Sequence, residues 1–401
     1  MSPVTPPRSS AWDIFRVFLR LGLTSFGGPV AHLGYFRTEF VERRRWLDDA
    51  TFADLLALCQ FLPGPASSQA GFAIGLLRGG PTGGLAAWTG FTLPSALIMG
   101  GLAYGASILD NPVGTALIHG LKLAAVAVVA QAVLGMIRTL APDARRAGIA
   151  IAALFAVTII GSAYGQLPAI LLGALGGLIL CRGEAPPAAV AMSRFAVSRR
   201  AGIAALVVFA VLLLGVPLAV AATGSQSLAV FDAFYRSGAL VFGGGHVVLP
   251  LLQARLVVPG WVASDAFLSG YAVAQALPGP LFTFATYLGA LARPGSGGVA
   301  GAALATAGIF LPGLLLLVAA LPFWQGLRSR PAAQALLRGA NAAVVGVLAA
   351  ALYDPVWTGS VATAADFAVA AAAFAALIAW RTPPIAVVVA CAAAGMVLRL
   401  A

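Results

Sequence analysis

Gln60-Phe61-Leu62-Pro63-Gly64-Pro65 and Gln275-Ala276-Leu277-Pro278-Gly279-Pro280 are two copies of one apolar frame, 215 residues apart (275 minus 60). The same offset carries Trp46 onto Trp261 and Phe52 onto Phe267. An offset of 216 carries Arg20, Gly22, Phe26, Gly27 and Gly28 onto Arg236, Gly238, Phe242, Gly243 and Gly244. Leu93-Pro94 meets Leu311-Pro312, and Gly120 meets Gly339, with the offset drifting only to 219. The chain therefore reads as two copies of one unit, and what the copies share is helix breakers inside hydrophobic segments. That combination marks a membrane transporter with its site between the repeats.

Composition places the chain in a bilayer. Of 401 residues 60% are apolar and only 9% charged, with a mean hydropathy of +0.95, values outside the range of soluble domains. All but one of the 24 basic residues are arginine, set in short loops, so the net charge of +11 is a topology signal and gives no reason to expect nucleic-acid binding. Cys59, Cys181 and Cys391 stand singly, without the spacing of a disulfide framework or a metal site, and no cofactor is expected. The stretch up to Ser10 has no signal-peptide core, so the first apolar segment is expected to stay in the mature chain.

Thirteen apolar segments can be marked. Four of them, approximately 11–36, 51–78, 228–258 and 264–292, carry Gly-Gly-Pro, Pro-Gly-Pro, Gly-Gly-Gly and Pro-Gly-Pro near their middles, where proline removes a backbone donor and glycine loosens the helix. A half-segment of roughly 12 residues rises about 18 Å, enough to reach the midplane and no further. These four read as re-entrant hairpins or broken helices whose tips meet at the centre, since freed backbone groups at that depth need a protein-lined or watered cavity. The fold class expected is an all-α polytopic membrane protein, an inverted-repeat transporter with broken helices meeting at the midplane. Residues 1–182 form the first repeat, 183–227 a linker containing Pro186, Pro187 and Arg194 plus an extra crossing helix, and 228–401 the second, inverted repeat.

Arginine counts support that topology. With the four segments as hairpins and the other nine crossing, sixteen arginines, among them Arg8, Arg43, Arg44 and Arg45, fall on one side, and only Arg255, Arg293 and Arg399 on the other. By the positive-inside rule the first side is cytoplasmic, with the amino terminus inside and the carboxy terminus outside. A simpler topology, in which each broken segment crosses once, places the breaks at the same depth and stays open.

Five basic residues lie inside apolar segments: Arg16, Arg20, Lys122, Arg236 and Arg338. Arg16 and Arg338 are near enough to an interface to snorkel. Arg20 and Arg236 are repeat equivalents, each seven residues before the first glycine of its tip, about 10 Å of helix from the centre. With no acid apparent at that depth they are candidate anion ligands. Lys122, the only lysine, is a third candidate, and its equivalent is the neutral Asn341. Half-helices starting after Gly28, Pro65, Gly244 and Pro280 would aim free N–H groups and positive dipole ends at the cavity. The candidate binding set is completed by Gln60, Gln275, Gly27, Gly28, Gly243, Gly244, Pro63, Gly64, Pro65, Pro278, Gly279 and Pro280, with Ser25, Ser67, Ser68, Thr24 and Thr283 as nearby hydroxyls. His32, His246 and Asp54 are candidates for proton coupling, although a satisfied histidine is an ordinary core feature, and Asp48, Asp49 and Asp54 also suit helix starts. Walker A, HExxH and GxSxG motifs are absent, so ATP-driven pumping, proteolysis and other enzyme chemistry lack support. An intramembrane enzyme acting on a lipid phosphate could use the same arginines, but would need a general base the chain does not evidently offer.

At Phe26-Gly27-Gly28-Pro29, the stretch from there to Trp46, Gln60 to Pro65, and the echoes Phe242-Gly243-Gly244-Gly245-His246 and Pro278-Gly279-Pro280, the chain resembles the chromate ion transporter family in its long, two-domain form. The resemblance implies a bacterial inner-membrane antiporter that expels chromate, a tetrahedral dianion like sulfate, using the proton-motive force, with two homologous halves in opposite orientation. The second half departs from the pattern with Gly245 where Pro29 stands. The residues themselves reach only as far as an oxyanion. A sulfate-like oxyanion transporter or a passive anion channel fits them too. The partners expected are a small inorganic anion and the lipid bilayer, and a homodimer is compatible with the sequence.

Overall fold

The computed structural model describes residues 9–105, 111–182, 197–242, 245–293 and 297–400, and every regular element among them is helical. The first half runs through α1 (Ala11–Thr24), α2 (Gly28–Arg37), α3 (Asp49–Phe61), α4 (Ala66–Gly105), α5 (Pro112–Leu140), α6 (Ala144–Ile160) and α7 (Ser162–Leu180). An unpaired helix, α8 (Arg199–Thr223), comes next. The second half comprises α9 (Gln226–Ala239), α10 (Val248–Leu252), α11 (Ser264–Ala276), α12 (Phe284–Leu291), α13 (Gly298–Ala320), the short α14 (Trp324–Arg328), α15 (Pro331–Ala351), α16 (Ala364–Ile378) and α17 (Pro384–Leu400). Five helices are long and apolar enough to cross a membrane, and the chain is an all-α, multi-pass membrane protein. On α8, Ile203, Val207, Val211, Leu214 and Leu218 are all exposed, an apolar face that only lipid can solvate.

Helices stop at each sequence breaker. Between α1 and α2 the chain opens at 25–27, with Gly27 in the left-handed region at φ 95°. Between α3 and α4 it opens at 62–65, and between α11 and α12 at 277–280, where three residues, Leu281–Thr283, first make a 3-10 turn. Between α9 and α10 the break leads into a 3-10 turn at Gly245–Val247; Gly243 and Gly244, like Arg8 and the linker residues Pro186, Pro187 and Arg194, lie outside the described residues. The second arm of the 51–78 hairpin and the crossing that follows it both lie within α4, separated by a break at Gly80. Gly80, at φ 66°, ψ −159°, turns the chain back, so that a Cβ on Gly75 would sit 2.3 Å from the carbonyl oxygen of Gly83. On a straight helix those residues would lie about 12 Å apart. Gly289 meets Gly301 in the same way where α12 gives way to α13.

Glycine lets helices approach backbone to backbone, the usual packing device where lipid supplies no hydrophobic drive. Gly22 of α1 faces the Phe91 carbonyl of α4, and its equivalent Gly238 of α9 faces the Ile309 carbonyl of α13. Other crossings join the two halves. Gly120 of α5 lies against Cys391 and Ala392 of α17, while Gly339 of α15 lies against Gly173 and Gly177 of α7. These are reciprocal contacts between equivalent positions, so each half is completed by helices of the other.

Candidate functional site

The tips meet across the halves. The Gly64 N–H donates to the Val241 carbonyl at 2.7 Å, and the Gly279 N–H donates to the Ser25 carbonyl at 3.0 Å. Ser25 and Val241 are equivalent (offset 216), as are Gly64 and Gly279 (offset 215), so one bond is made twice. Each Pro-Gly-Pro glycine also beds against a residue just after a helix proline of the opposite half. A Cβ on Gly64 would come within 2.9 Å of the Cα of Gly313, and one on Gly279 within 2.7 Å of the Ser95 hydroxyl. With φ at 122° and 91°, both positions call for glycine on backbone grounds as well.

Side chains reinforce the crossing. Gln69, to which no sequence motif points, is fully buried and donates from Nε2 to the Pro63 carbonyl (3.0 Å) and to the Gly313 carbonyl of the other half (2.9 Å). His32 is fully buried, edge-on to Phe91. Its Nε2 lies 3.2 Å from the Ser25 carbonyl and its Nδ1 3.4 Å from the Ser67 hydroxyl. A carbonyl only accepts, so Nε2 carries the proton and Nδ1 receives the hydroxyl. His32 thereby ties the α1–α2 hairpin to the α3–α4 hairpin. His246 does the same work in the second half from a different register, its Nδ1 receiving the Tyr271 hydroxyl at 2.8 Å and the Gln275 amide at 3.0 Å. Both donors point to Nδ1, which leaves the proton on Nε2. Gln275 is buried in this arrangement, whereas its equivalent Gln60 is exposed.

Two hydroxyls near His32 have no such partner. Ser25 Oγ and Ser68 Oγ are buried and make no hydrogen bond among the described residues. Ser68 lies in the first turn of α4, next to Ser67, and Ser25 sits at the first tip. A buried donor left unbonded costs about 1–3 kcal/mol, so both are available to an acceptor that enters.

The arginines divide between two cavities. Arg20 lines one of about 530 Å³ with Thr24, Tyr35, Thr38, Glu39 and Arg43. Arg236 lines another of about 590 Å³ with Pro63, Phe242, Gln166, Leu251 and Arg255. Arg20 and Arg236, expected as a pair, line different cavities here, the first within the first half and the second walled by residues of both halves, Pro63 and Gln166 among them. Arg236 also has an acid, since its Nε donates to Asp232 at 2.8 Å, one helical turn earlier. Lys122, the third cation candidate, has an acidic partner of its own. Its Nζ bonds Asp265 at 2.9 Å in the first turn of α11, about 18 Å of helix before the Pro-Gly-Pro tip, where a charged partner at the end of a helix accounts for it. Asn341, its equivalent, sits half-buried on α15. Asp48 caps α3 by receiving the Thr51 N–H at 2.6 Å, and Asp49 pairs with Arg37 at 2.8 Å. Asp54 starts no helix; it is buried in the second turn of α3 and receives the Trp324 indole N–H at 3.2 Å.

Duplication carries further signals. The 216 offset that pairs Arg20 with Arg236 also pairs Arg16 with Asp232 and Glu39 with Arg255. Glu39 lies in a π-helical turn, Thr38–Arg43, and Arg255 in another, Gln253–Val257. Each π turn continues the helix behind a tip, a placement often found at functional sites. Among the described residues no group of three or more His, Cys, Asp or Glu could hold a metal.

Comparison with known proteins covers both halves. A family model described as chromate transporter matches residues 12–181 and again 228–396. The chain is 31% identical over 352 residues to a chromate transport protein of Pseudomonas aeruginosa, an alignment covering 87% of this chain and 82% of that one. It is 28% identical over 348 residues to a probable chromate transport protein of Synechococcus elongatus, covering 86% and 84%. An uncharacterised transporter of Methanocaldococcus jannaschii is 25% identical over 345 residues, covering 85% and 83%. No solved structure matches. The duplicated, doubly matched chain, with its breakers meeting across the halves, belongs to the chromate transporter family.

Proposed function

We propose that the chain moves a tetrahedral oxyanion, with chromate the substrate its relatives' names indicate, outward across a bacterial inner membrane at the expense of the proton-motive force. The halves are inserted in opposite senses, with the amino terminus cytoplasmic and the carboxy terminus periplasmic. The anion passes through the crossing of the tips, where the helix starts at Gly28 and Ala66 and the free hydroxyls of Ser25 and Ser68 face it. The observation that carries this reading is those two buried, unbonded hydroxyls beside a crossing built twice from both halves. Positive helix ends and neutral donors suit a dianion that must leave later, because tight ion pairing at the crossing would hold it there.

Proton coupling falls to His246. Taking a proton on Nδ1 would require the Tyr271 hydroxyl and the Gln275 amide, both donors to that nitrogen, to turn away. Gln275 stands three residues before Pro278, so protonation would act on the tip itself. His246→Gln should leave chromate binding in place while flattening the pH dependence of uptake, measured in everted vesicles across imposed pH gradients.

Purified protein in proteoliposomes tests the whole reading. Chromate should accumulate above its external level when a proton-motive force of the correct sense is imposed, and a protonophore should abolish the accumulation. Equilibration without accumulation would make the protein a passive channel.

A further inference from the structure

Position 16 is arginine, 20 is arginine and 39 is glutamate; the equivalent positions 232, 236 and 255 are aspartate, arginine and arginine. Each half thus keeps two guanidinium groups and one carboxylate on the same three positions, with the acid moved from the π turn to the helix before the tip. The acid is engaged differently in the two halves. In the first half Glu39 is engaged by Arg43 at 3.1 Å and Arg44 at 2.6 Å, and the Arg20 guanidinium has no hydrogen-bond partner among the described residues. In the second half Asp232 holds Arg236, and Arg255 is the one with no hydrogen-bond partner among the described residues. Arg255 is exposed into the same cavity as Arg236 and within Coulombic reach of both Arg236 and Asp232.

Resting on the transport reading above, we infer that the α9–α10 cavity is a second oxyanion station, with Arg255 as its free cation and functional counterpart of Arg20. The cavity of about 590 Å³ is far larger than a four-oxygen anion needs. Leu167, Ile170, Leu213, Leu251 and Leu316 wall it, which lowers the dielectric around the charges and lengthens their reach. The Arg236–Asp232 pair is locally neutral, so the net positive charge of the station is Arg255's. Its planar fork can give two parallel N–H bonds to two oxygens of one tetrahedral face. Pro63 and Phe242, both from tips, line the same cavity, so an anion released from Arg255 is already at the crossing. Two stations, one lined by Arg20 with Glu39 and Arg43 and the other by Arg236 and Arg255, give the anion a foothold on either side of the tips.

Half-saturation for radiolabelled sulfate and for chromate, measured with the full chain in inside-out and right-side-out vesicles, tests the assignment. Arg255→Gln is expected to raise half-saturation at least tenfold on one face and less than twofold on the other. Arg20→Gln is expected to show the opposite sidedness, Arg255→Lys an intermediate effect, and Arg293→Gln none. Each variant is checked for a single monodisperse peak in detergent. Unchanged half-saturation on both faces for Arg255→Gln, or the same face affected by Arg20→Gln and Arg255→Gln, overturns the inference while leaving the transport reading intact. Wild-type vesicles that move neither anion remove both. The assay is repeated with protein reconstituted in phosphatidylcholine alone and with phosphatidylglycerol added. An Arg255→Gln effect that persists in phosphatidylcholine supports a free anion, and one that appears only with phosphatidylglycerol gives the cavity to a lipid headgroup and overturns the proposal.

Discussion

Arg20 lines a cavity without an acid bonded to its guanidinium, which is the condition under which a guanidinium serves a ligand. Arg20→Lys keeps the charge but loses the fork, and Arg20→Gln loses both, so transport should fall with each and further with the second. Removing a desolvated charge contact costs about 2–5 kcal/mol, tens- to thousands-fold in apparent affinity, readable as chromate uptake by everted vesicles. Both variants should reach the membrane in normal amount, because no partner is orphaned by the change. Gly64 behaves oppositely. Gly64→Ala puts a Cβ 2.9 Å from the Gly313 backbone at a φ of 122°, so the protein itself should suffer, by about 1–3 kcal/mol, seen as a lower thermal midpoint in detergent. Position along the chain is enough to single out Arg20 and Gly64, since duplication repeats both. It does not show the Asp265 partner of Lys122, 143 residues away with no sequence pattern to announce it. Asp232 is within reach of sequence reasoning, as an i, i+4 neighbour of Arg236, but escapes a search confined to acids at the tips.

Helices and their breaks are legible because Pro and Gly interrupt otherwise continuous apolar runs, and the breaks fall at 25–27, 62–65 and 277–280 as the breakers dictate. The path of the chain beyond each break is not legible. The first half resumes directly as α-helix, whereas the second resumes through 3-10 turns, and both α2 and α10 run on into π turns set by packing more than by local preference. Crossings between helices depend on small residues at matched heights, which sequence shows only as scattered glycines. Gly120 and Gly339 mark the two reciprocal crossings, with a built Cβ 2.1 Å from the Cys391 carbonyl and the Gly173 carbonyl respectively. Gly120→Val or Gly339→Val should therefore separate α5 from α17 or α15 from α7 and lower the thermal midpoint by several degrees. Gly135→Val, on α5 with nothing within 4 Å, should change it little.

Duplication is plain in the sequence, and the exchange of contacts between the copies is not, because equivalence gives pairs of positions without saying which copy a residue touches. Gly64 bonding Val241 and Gly279 bonding Ser25 make the two halves interdependent at the crossing. The proposed orientation in the membrane rests on the arginine distribution. In a background lacking Cys59, Cys181 and Cys391, Arg45→Cys should react with an impermeant thiol reagent only from the cytoplasm and Arg293→Cys only from outside. Equal cytoplasmic access at both would end the inverted arrangement. The central claim, that an oxyanion is held where the tips of both halves meet, is tested most directly by locating chromium in crystals of the full chain grown with chromate, from its anomalous signal. The account predicts a peak within hydrogen-bonding distance of Ser25 Oγ and Ser68 Oγ, and a peak only elsewhere, in protein that transports chromate, would contradict it.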